Sequence, residues 1–486
     1  MSDEQLTAGR KALRINLDST KYGTFAEIGA GQEVARHFFQ AGAAAGTVAK
    51  SISAYDMKFS DAIYGKAGRY VSRDRLGQML EHEYSLLEER LSQSRGDEAT
   101  FFVFANTVSA LNYQADNECH GWMAVRFQTR PHSPPHDVLV HVRMLDRQNR
   151  LQQEALGIFG VNLIYGVFHL RDDPGAFIES LSDDLGRSRI EVDMIEFNGP
   201  DFDGIDNRIL SLKLVETSLA QAVMFDTSGQ VEQPADTLYG KACLVERGSF
   251  RPLTKVNLDM LEKAKRQFVE RPDVEESEVQ VLMELTLHNL ESEGDLDYED
   301  FLARVDVINA CGYEVLVSSY FEYYKLSAFL RRYVSKPIGI VMGINNLLDI
   351  FDTRYYDSLQ GGILEAFGIL FKENLKLYAS PIERTNFERY RKMGDGEDRI
   401  EIETDLDGLL TTENLRVDDH VRNLYKYVRE NGFLEPVLDV DRSSMNLFSR
   451  DVIEMIREGK DGWEDMVPEP VAQIVKERCL WGCKTS

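Results

Sequence analysis

The sequence predicts an α/β protein with a mixed α+β N-terminal portion, a Rossmann-like parallel βαβ region and a helical C-terminal tail. From residue 279 onward, short apolar runs alternate with single helical patterns, which is typical of βαβ units and parallel strand pairing. Nearer the N-terminus, residues 22–57 combine two strand-like runs with a glycine turn and one helical face. A chain of 486 residues is too long for one ordinary core, so we expect several domains.

The glycine-rich stretch, residues 22–57, is predicted to form one supersecondary unit of strand, turn, helix and strand. Its helix carries Val34, Phe38 and Ala41 on one face and ends in a run of small residues that begins at Gly42. The predicted elements are a strand at 24–28, a turn at Gly29-Ala30-Gly31, a helix at 32–41 and a strand at 47–54.

The rest of the chain gives further expectations. Alternating Leu13, Ile15 and Leu17 indicates an edge strand, and residues 59–76 indicate a loop. The region between residues 100 and 248 has more strand-like than helical runs, among them predicted strands at 160–168 and 209–215, whereas the aperiodic, charged residues 383–407 indicate a loop. The predicted regions are a βαβ-like unit with an amphipathic helix at 1–98, a mixed α/β region at 99–270, a parallel βαβ region at 279–382 and a helical region at 408–486.

The charge balance restricts the partners of this protein. Lys and Arg number 55 against 81 Asp and Glu, which gives a formal net charge of −26. Such a field repels phosphate backbones and anionic lipids, so we expect neither nucleic-acid nor membrane partners. The N-terminus lacks an apolar signal core and no window of about 18 apolar residues occurs, which predicts a cytoplasmic location. The five cysteines are then expected to be free thiols.

The glycine turn is the first candidate binding site. Its sequence, EIGAG, resembles the first motif of nucleotide-fold methyltransferases, although Gln32 and Glu33 stand where a third glycine is expected. Gly29, Gly31 and Gln32 would present backbone or amide donors to a ligand, and Glu27 or Asp56 would hold ribose hydroxyls. Alternatively, the glycines only permit a tight turn and close helix packing.

Other polar residues complete the predicted site. Arg69, Arg73 and Arg126 are candidates to neutralise phosphate, and His120 or Glu322 is the candidate base. His120 belongs to a cluster with three further histidines, for which metal binding, acid–base chemistry and a structural role are the open alternatives; we assign no metal. The further histidines are His132, His136 and His141.

The carboxyl ends of the predicted parallel strands gather more polar groups. Strands at 313–318 and 338–342 would end near Glu322 and near Asn345-Asn346, where hydroxyl, amide and carboxylate groups meet. Parallel sheets bind ligands beyond these ends, but an asparagine there also caps helices.

The segments GTFAEIGAGQEVARHFF, NECHGWMAVRFQ, QQEALGIFGVNLIYG, VERGSFRPLT and GGILEAFGILFK resemble a widespread bacterial family of this length. Its members carry the labels nicotinate-nucleotide adenylyltransferase or TonB-dependent receptor. The HxGH and ISSTxxR patterns of the former and the signal peptide of the latter are absent from this sequence. The resemblance implies a shared cytosolic fold.

We therefore predict a transferase-like enzyme that binds a nucleotide-type or phosphorylated small molecule and forms a homo-oligomer. Two alternatives remain: a non-catalytic, self-associating scaffold, suggested by 20 tyrosines and 25 phenylalanines without a complete catalytic signature, and an S-adenosylmethionine-dependent methyltransferase.

Overall fold

The protein has an α/β fold, as predicted. The computed structural model describes residues 6–292, 295–393 and 408–483. The chain divides into two compact units, Met1–Val223 and Met224–Ser486, with the division inside the predicted region 99–270.

The first unit contains one sheet and the helices that flank it. Its order is β2-β1-β3-β4-β5-β6, with β1, β2 and β3 parallel and the later strands antiparallel. The elements are α1 (Ala8–Asn16), β1 (Lys21–Gly29), α2 (Val34–Ala41), β2 (Val48–Ala54), α3 (Met57–Tyr64), α4 (Arg73–Arg95), β3 (Thr100–Ser109), β4 (His120–Phe127), β5 (His136–Met144), α5 (Asn149–His169), α6 (Pro174–Ser180), β6 (Ile190–Asn198) and α7 (Asn207–Glu216).

The predicted glycine-rich unit is confirmed as β1, α2 and β2, and β1 and β2 pair in parallel. Phe25 of β1 packs on Phe38 of α2 with ring centroids 4.8 Å apart, and both rings are buried. This contact stabilises the helix against the sheet through burial of two aromatic side chains. The turn between β1 and α2 therefore has a fixed position at the carboxyl edge of the sheet.

Several local predictions in the first unit are wrong. The residues predicted as an edge strand form the helix α1. Thr7 caps this helix, and its buried side chains recur at helical spacing, as Ala8, Lys11, Ala12 and Ile15. The predicted strand at 160–168 belongs to α5, and the one at 209–215 belongs to α7. The run in α5 is buried on all sides, so periodicity does not distinguish it from a buried strand.

The loop predicted at 59–76 is also wrong in part. Asp56 caps α3, because its side chain accepts a hydrogen bond from the backbone of Phe59 at 2.9 Å, and the helix continues to Tyr64.

The second unit contains a larger sheet. Its elements are β7 (Ala222–Phe225), β8 (Val231–Glu232), α8 (Pro234–Leu238), β9 (Ala242–Arg247), α9 (Lys255–Val269), β10 (Val279–Thr286), α10 (Leu287–Leu290), β11 (Glu291–Ser292), β12 (Asp295–Leu296), α11 (Tyr298–Ala310), β13 (Glu314–Ser318), α12 (Tyr323–Leu330), β14 (Ile338–Gly343), α13 (Ile344–Ile350), α14 (Gly362–Leu370), β15 (Lys376–Ser380), β16 (Ile382–Glu383), α15 (Arg384–Met393), β17 (Leu409–Leu410), α16 (Arg422–Glu430), β18 (Leu434–Pro436), α17 (Ser449–Glu458) and α18 (Glu469–Glu477).

The strand order of this sheet is β18-β15-β14-β9-β10-β13-β7-β8, and the strands from β18 to β13 are parallel. Among these parallel strands, the chain starts at β9, moves outward through β10 and β13, and returns to the other side of β9 for β14, β15 and β18. β7 and β8 precede β9 in sequence and lie beyond β13. The order thus reverses between β9 and β14, as in doubly wound α/β folds. Crevices at such a reversal, beyond the carboxyl ends of the strands, are common ligand sites.

Part of the loop predicted at 383–407 forms α15, and residues 394–407 lie outside the described residues. The predicted parallel alternation from residue 279 onward is confirmed by β10, β13, β14 and β15. Across the described residues, no helix is long and apolar enough to cross a membrane.

Candidate functional site

The glycine turn of the first unit is packed tightly against β3. A Cβ atom at Gly29, where φ is +75°, would lie 2.3 Å from the carbonyl oxygen of Val108. At Gly31 a Cβ would lie 2.6 Å from the side chain of Asn106, which donates a hydrogen bond to the Gly31 carbonyl at 2.8 Å. Gln32 is exposed and its amide donates to the Gly29 carbonyl. Contacts within the protein therefore account for both glycines.

The two predicted ribose-binding carboxylates are engaged as helix caps. Glu27 is buried and accepts hydrogen bonds from the backbone N–H groups of Val34 and Ala35, at 2.9 and 3.3 Å, in the first turn of α2. Burial raises the pKa of Glu27 to about 7, although these hydrogen bonds favour the ionised form. Asp56 caps α3 through Phe59. The structure thus places these two carboxylates at separate helix starts.

Two of the three predicted phosphate-binding arginines are paired with carboxylates of the protein. Arg126 donates two hydrogen bonds to Asp137, both at 2.8 Å, and a third to Glu81 at 2.6 Å. These hydrogen bonds to Asp137 and Glu81 raise the pKa of Arg126 despite its burial. Arg73 pairs with Glu196 at 2.6 Å, and Arg69 is exposed in the loop before α4.

The predicted base His120 stands at the first position of β4, where it is partly exposed. Its Nδ1 lies 2.9 Å from Nε2 of His141, whose Nδ1 lies 2.5 Å from Oδ1 of Asp193. Of the other clustered histidines, His136 is buried and His132 pairs with Asp97. Among the residues that the structure describes, no group of three or more His, Cys, Asp or Glu side chains is arranged to hold a metal.

The second unit has a cavity of about 720 Å³ beyond the carboxyl ends of β9, β10, β13 and β14. Its lining includes the second predicted base, Glu322, and the predicted edge residues Asn345 and Asn346. Further lining residues are Arg247, Phe321, Tyr323, Asp349 and Tyr355. The cavity thus lies where the strand order reverses.

A buried ion pair forms one wall of the cavity. Arg247, the last residue of β9, donates from Nε and Nη2 to the two carboxylate oxygens of Glu284, at 2.8 and 3.0 Å. Its Nη1 donates to the carbonyl of Phe321 at 2.6 Å, and Ser318 donates to Glu284 at 2.6 Å. Although burial alone would lower it, the Glu284 carboxylate raises the pKa of Arg247. The guanidinium is therefore charged and fixed in one orientation.

Aromatic rings and amides form the other walls. The guanidinium carbon of Arg247 lies 4.2 Å from the centroid of the Tyr323 ring, and the Tyr323 hydroxyl accepts a hydrogen bond from Asn346 at 3.2 Å. Phe321 is 41% exposed, and its ring lies 5.0 Å from that of Tyr355. The buried oxygen Oδ1 of Asn345 has no hydrogen-bond partner among the described residues. An acceptor of this kind remains available to a ligand donor.

Two carboxylates that line the cavity are Glu322 and Asp349. Glu322 accepts a hydrogen bond from Lys325 at 2.8 Å and forms an ion pair with it. Loss of hydration and the neighbouring Asp352 carboxylate raise the pKa of Asp349 to about 6. Asp349 can therefore exchange a proton near neutral pH.

Sequence reasoning missed Arg247 and Asp349. The signal for Arg247 was a charged residue directly after the apolar run ACLV, and strand ends of parallel sheets carry functional side chains. That run lies in the predicted mixed region at 99–270, whereas β9 is a central strand of the second sheet.

The comparisons with known proteins assign no family. No protein-family model and no curated protein matches the chain. Similar solved structures include the competence/damage inducible protein CihA from Agrobacterium tumefaciens, with 17% identity, 33% of this chain and 93% of that chain covered, and a TM-score of 0.22. A competence-damaged protein (CinA) superfamily member from Enterobacter cloacae is 11% identical to this chain and has a TM-score of 0.25. The match covers 35% of this chain and 96% of that chain.

A third structure, described as a nicotinate-nucleotide adenylyltransferase from Vibrio parahaemolyticus, is 14% identical, covers 51% of this chain and 98% of that chain, and has a TM-score of 0.20. Similarities at this level do not assign an activity to this chain.

Proposed function

We propose that the protein is a transferase-like enzyme that binds a nucleotide-type or phosphorylated small molecule in the cavity of the second unit. The observation that carries this proposal is the position of the cavity, beyond the strand ends where the order reverses between β9 and β14. A cavity of about 720 Å³ is within the range of small-molecule sites.

The walls supply the contacts that such a ligand needs. Arg247 uses three of its N–H groups in the described hydrogen bonds, and a guanidinium has about five, so the others are available to phosphate oxygens. Phe321 and Tyr355 offer aromatic surface to a base, and Asn345 Oδ1 is an acceptor for a ribose hydroxyl. Asp349 would take the proton from an attacking hydroxyl, with Glu322 as the second candidate base.

A thermal-shift panel tests this proposal on the full chain with nucleoside mono- and triphosphates, NAD-pathway mononucleotides and sugar phosphates. A ligand at 100 times its dissociation constant stabilises the folded state by about 2.7 kcal/mol. We expect at least one compound to raise the melting temperature of the wild type and to raise it less in Phe321→Ala.

The matched control is Tyr239→Ala, because Tyr239 is a second exposed aromatic residue of this unit and does not line the cavity. This variant should keep the full shift. The absence of any shift in the wild type, or equal losses in both variants, contradicts binding in the cavity.

One observation favours self-association as a second candidate. Tyr55, Met57 and Phe59, which are close in sequence around the start of α3, are 79, 60 and 57% exposed. Exposed aromatic and methionine side chains are enriched at protein interfaces. Native mass spectrometry of the wild type and of the double variant Tyr55→Ser/Phe59→Ser tests this candidate. If the protein is a scaffold, the wild type forms an assembly and the double variant does not. We do not propose S-adenosylmethionine binding at the glycine turn, because packing against β3 accounts for its glycines.

A further inference from the structure

The aspartate, glutamate and arginine side chains that line the cavity of the second unit are paired, with one exception. The pairs are Arg247 with Glu284, Glu322 with Lys325, and Asp352 with Arg354. The carboxylate of Asp349 has no hydrogen-bond or ion-pair partner among the described residues, although this residue also lines the cavity. The lining therefore retains one negative charge that no described side chain compensates.

The surroundings of Asp349 disfavour its charge. Loss of hydration, followed by the neighbouring Asp352 carboxylate, raises the pKa of Asp349 to about 6, so most of this group is still ionised at pH 7. Burial raises the pKa values of Tyr323 and Tyr356 as well, and their hydroxyl groups are neutral at this pH. A cation supplied by a ligand would stabilise the ionised carboxylate.

A second acceptor lies on the same face of α13. Asn345 and Asp349 stand at positions i and i+4 of this helix, so their side chains are neighbours, and both residues line the cavity. The buried Oδ1 of Asn345 has no hydrogen-bond partner among the described residues. Two acceptors without a protein donor fit a ligand group that carries several N–H donors, and a protonated amine is such a group.

A metal ion fits these two acceptors less well than an ammonium group does. Mg²⁺ and Ca²⁺ take about six or more oxygen ligands, usually with carboxylates among them. In the part of the chain that the structure describes, no group of three or more His, Cys, Asp or Glu side chains is placed to hold a metal. The cation that suits Asp349 is therefore an organic one.

The position of Asp349 suits a ligand whose phosphate binds to Arg247. Tyr323 is close to both residues. The guanidinium carbon of Arg247 lies 4.2 Å from its ring centroid, and the Asp349 carboxylate adds to the effect of burial in raising its pKa. The charge of Arg247 is already balanced by Glu284, whereas a phosphate brings about two negative charges. An ammonium group on the same ligand offsets this excess beside Asp349.

This inference rests on the proposed function. We propose that the phosphorylated ligand of the cavity carries a primary amine, and that Asp349 and Asn345 bind it as ammonium while Arg247 binds the phosphate. The substrate class is thus a phosphorylated amine, such as an amino sugar phosphate or the phosphate of an amino alcohol. Asp349 is then occupied by the ammonium, and Glu322, the second candidate base, accepts the proton in the transfer.

Calorimetric titration of the full-length protein at pH 7 tests this inference with two pairs of compounds. Glucosamine-6-phosphate is compared with glucose-6-phosphate, and phosphoethanolamine is compared with ethylene glycol phosphate. In each pair the first compound carries an amine where the second has a hydroxyl. A hydrogen-bonded ion pair contributes about tenfold or more to affinity, so we expect the wild type to bind the amine at least tenfold more tightly in at least one pair.

Asp349→Asn removes the charge and keeps the size of the side chain. In this variant the dissociation constants of the amine and hydroxyl compounds should agree within about threefold. The matched control is Asp357→Asn, because Asp357 is exposed, close in sequence and not among the residues that line the cavity. It removes the same charge and should keep the wild-type preference. The wild-type comparison requires no variant, so the test does not depend on the folding of Asp349→Asn.

The outcomes separate this inference from the proposed function. Equal binding within both pairs, or tighter binding of the hydroxyl compounds, overturns the amine and leaves phosphate binding intact. A preference that survives in Asp349→Asn, or a hydroxyl compound that matches its amine partner once Mg²⁺ is added, overturns it as well. So does binding of a nucleotide without a basic amine when neither amine compound binds. The absence of binding by every compound contradicts the proposed function itself.

Discussion

At the scale of single residues, burial decides what a charged side chain does in this protein. Arg126 and Glu27 carry the charges that a nucleotide site requires, yet Asp137 and the first turn of α2 satisfy them. Arg247 is paired as well, but it borders a cavity and keeps donors for a ligand. The sequence shows residue types and not their partners. It therefore did not distinguish charged residues paired within the protein, such as Arg126 and Glu27, from Arg247 at the cavity.

Glu27 gives a pH dependence with a definite sign. Its pKa is about 7 in the folded protein and near 4.5 in an unfolded chain, so the folded state binds the proton more tightly. Stability from this group is present at low pH and is lost as the pH rises from about 4.5 to 7. We expect the wild type to lose about 2–3 kcal/mol more than Glu27→Gln between pH 5 and pH 8.

Urea unfolding followed by Trp122 fluorescence measures this difference. Trp122 is the only tryptophan of the first unit, and Trp463→Phe and Trp481→Phe remove the other two. The control is Glu89→Gln, on the exposed face of α4, whose free energy of unfolding should change with pH as that of the wild type does. If the free energy of unfolding depends on pH in the same way in the wild type and in Glu27→Gln, burial of Glu27 does not determine its protonation.

At the scale of elements, periodicity predicted the structure where one face is solvated and failed where all faces are buried. In the glycine-rich unit, α2 buries one face, and β1, although buried along most of its length, is delimited by the glycine turn that follows it. Its strands and helix were predicted within a few residues. Residues 160–168 of α5 are buried on every side, and burial of the whole surface removes the period that distinguishes helix from strand.

Close packing of the glycine turn makes a prediction for two glycines without positive φ. Gly31→Ala places a methyl group 2.6 Å from Asn106, whereas Gly46→Ala meets nothing within 4 Å. We expect Gly31→Ala to lower the free energy of unfolding by about 1–3 kcal/mol and Gly46→Ala to change it by less than about 1 kcal/mol. Chemical denaturation of both variants measures this. Equal stabilities would mean that the turn has free space and remains a candidate ligand site.

At the scale of the whole molecule, the sequence predicted the fold class and the strand ends near Glu322 and Asn345-Asn346, but not that Arg247 joins them in one cavity. The alternation of strands and helices after residue 279 is visible in the sequence, and it was sufficient to predict a parallel sheet. The cavity is assembled from strand ends as distant in the chain as Arg247, Phe321 and Asn345. Their proximity follows from the strand order, and the position of β9 in the centre of the sheet has no local signal.

The division into two compact units leads to the last prediction. The residues that line the cavity all lie between Arg247 and Phe387, within the second unit, and β7 belongs to the sheet of that unit. A fragment of residues 221–486 keeps this sheet intact, and a fragment of residues 1–220 keeps the sheet of the first unit. We expect each fragment to unfold in one cooperative transition, because each contains its own hydrophobic core.

A ligand that stabilises the full chain should therefore raise the melting temperature of the 221–486 fragment by a similar amount and leave the 1–220 fragment unchanged, since binding is linked only to the unit that contacts the ligand. Far-UV circular dichroism establishes first that each fragment is folded. A folded 221–486 fragment without a shift, beside a full chain that shifts, would show that residues before 221 contribute to binding. In that case the glycine turn and His120, both at the carboxyl edge of the parallel strands of the first sheet, become the next residues to test.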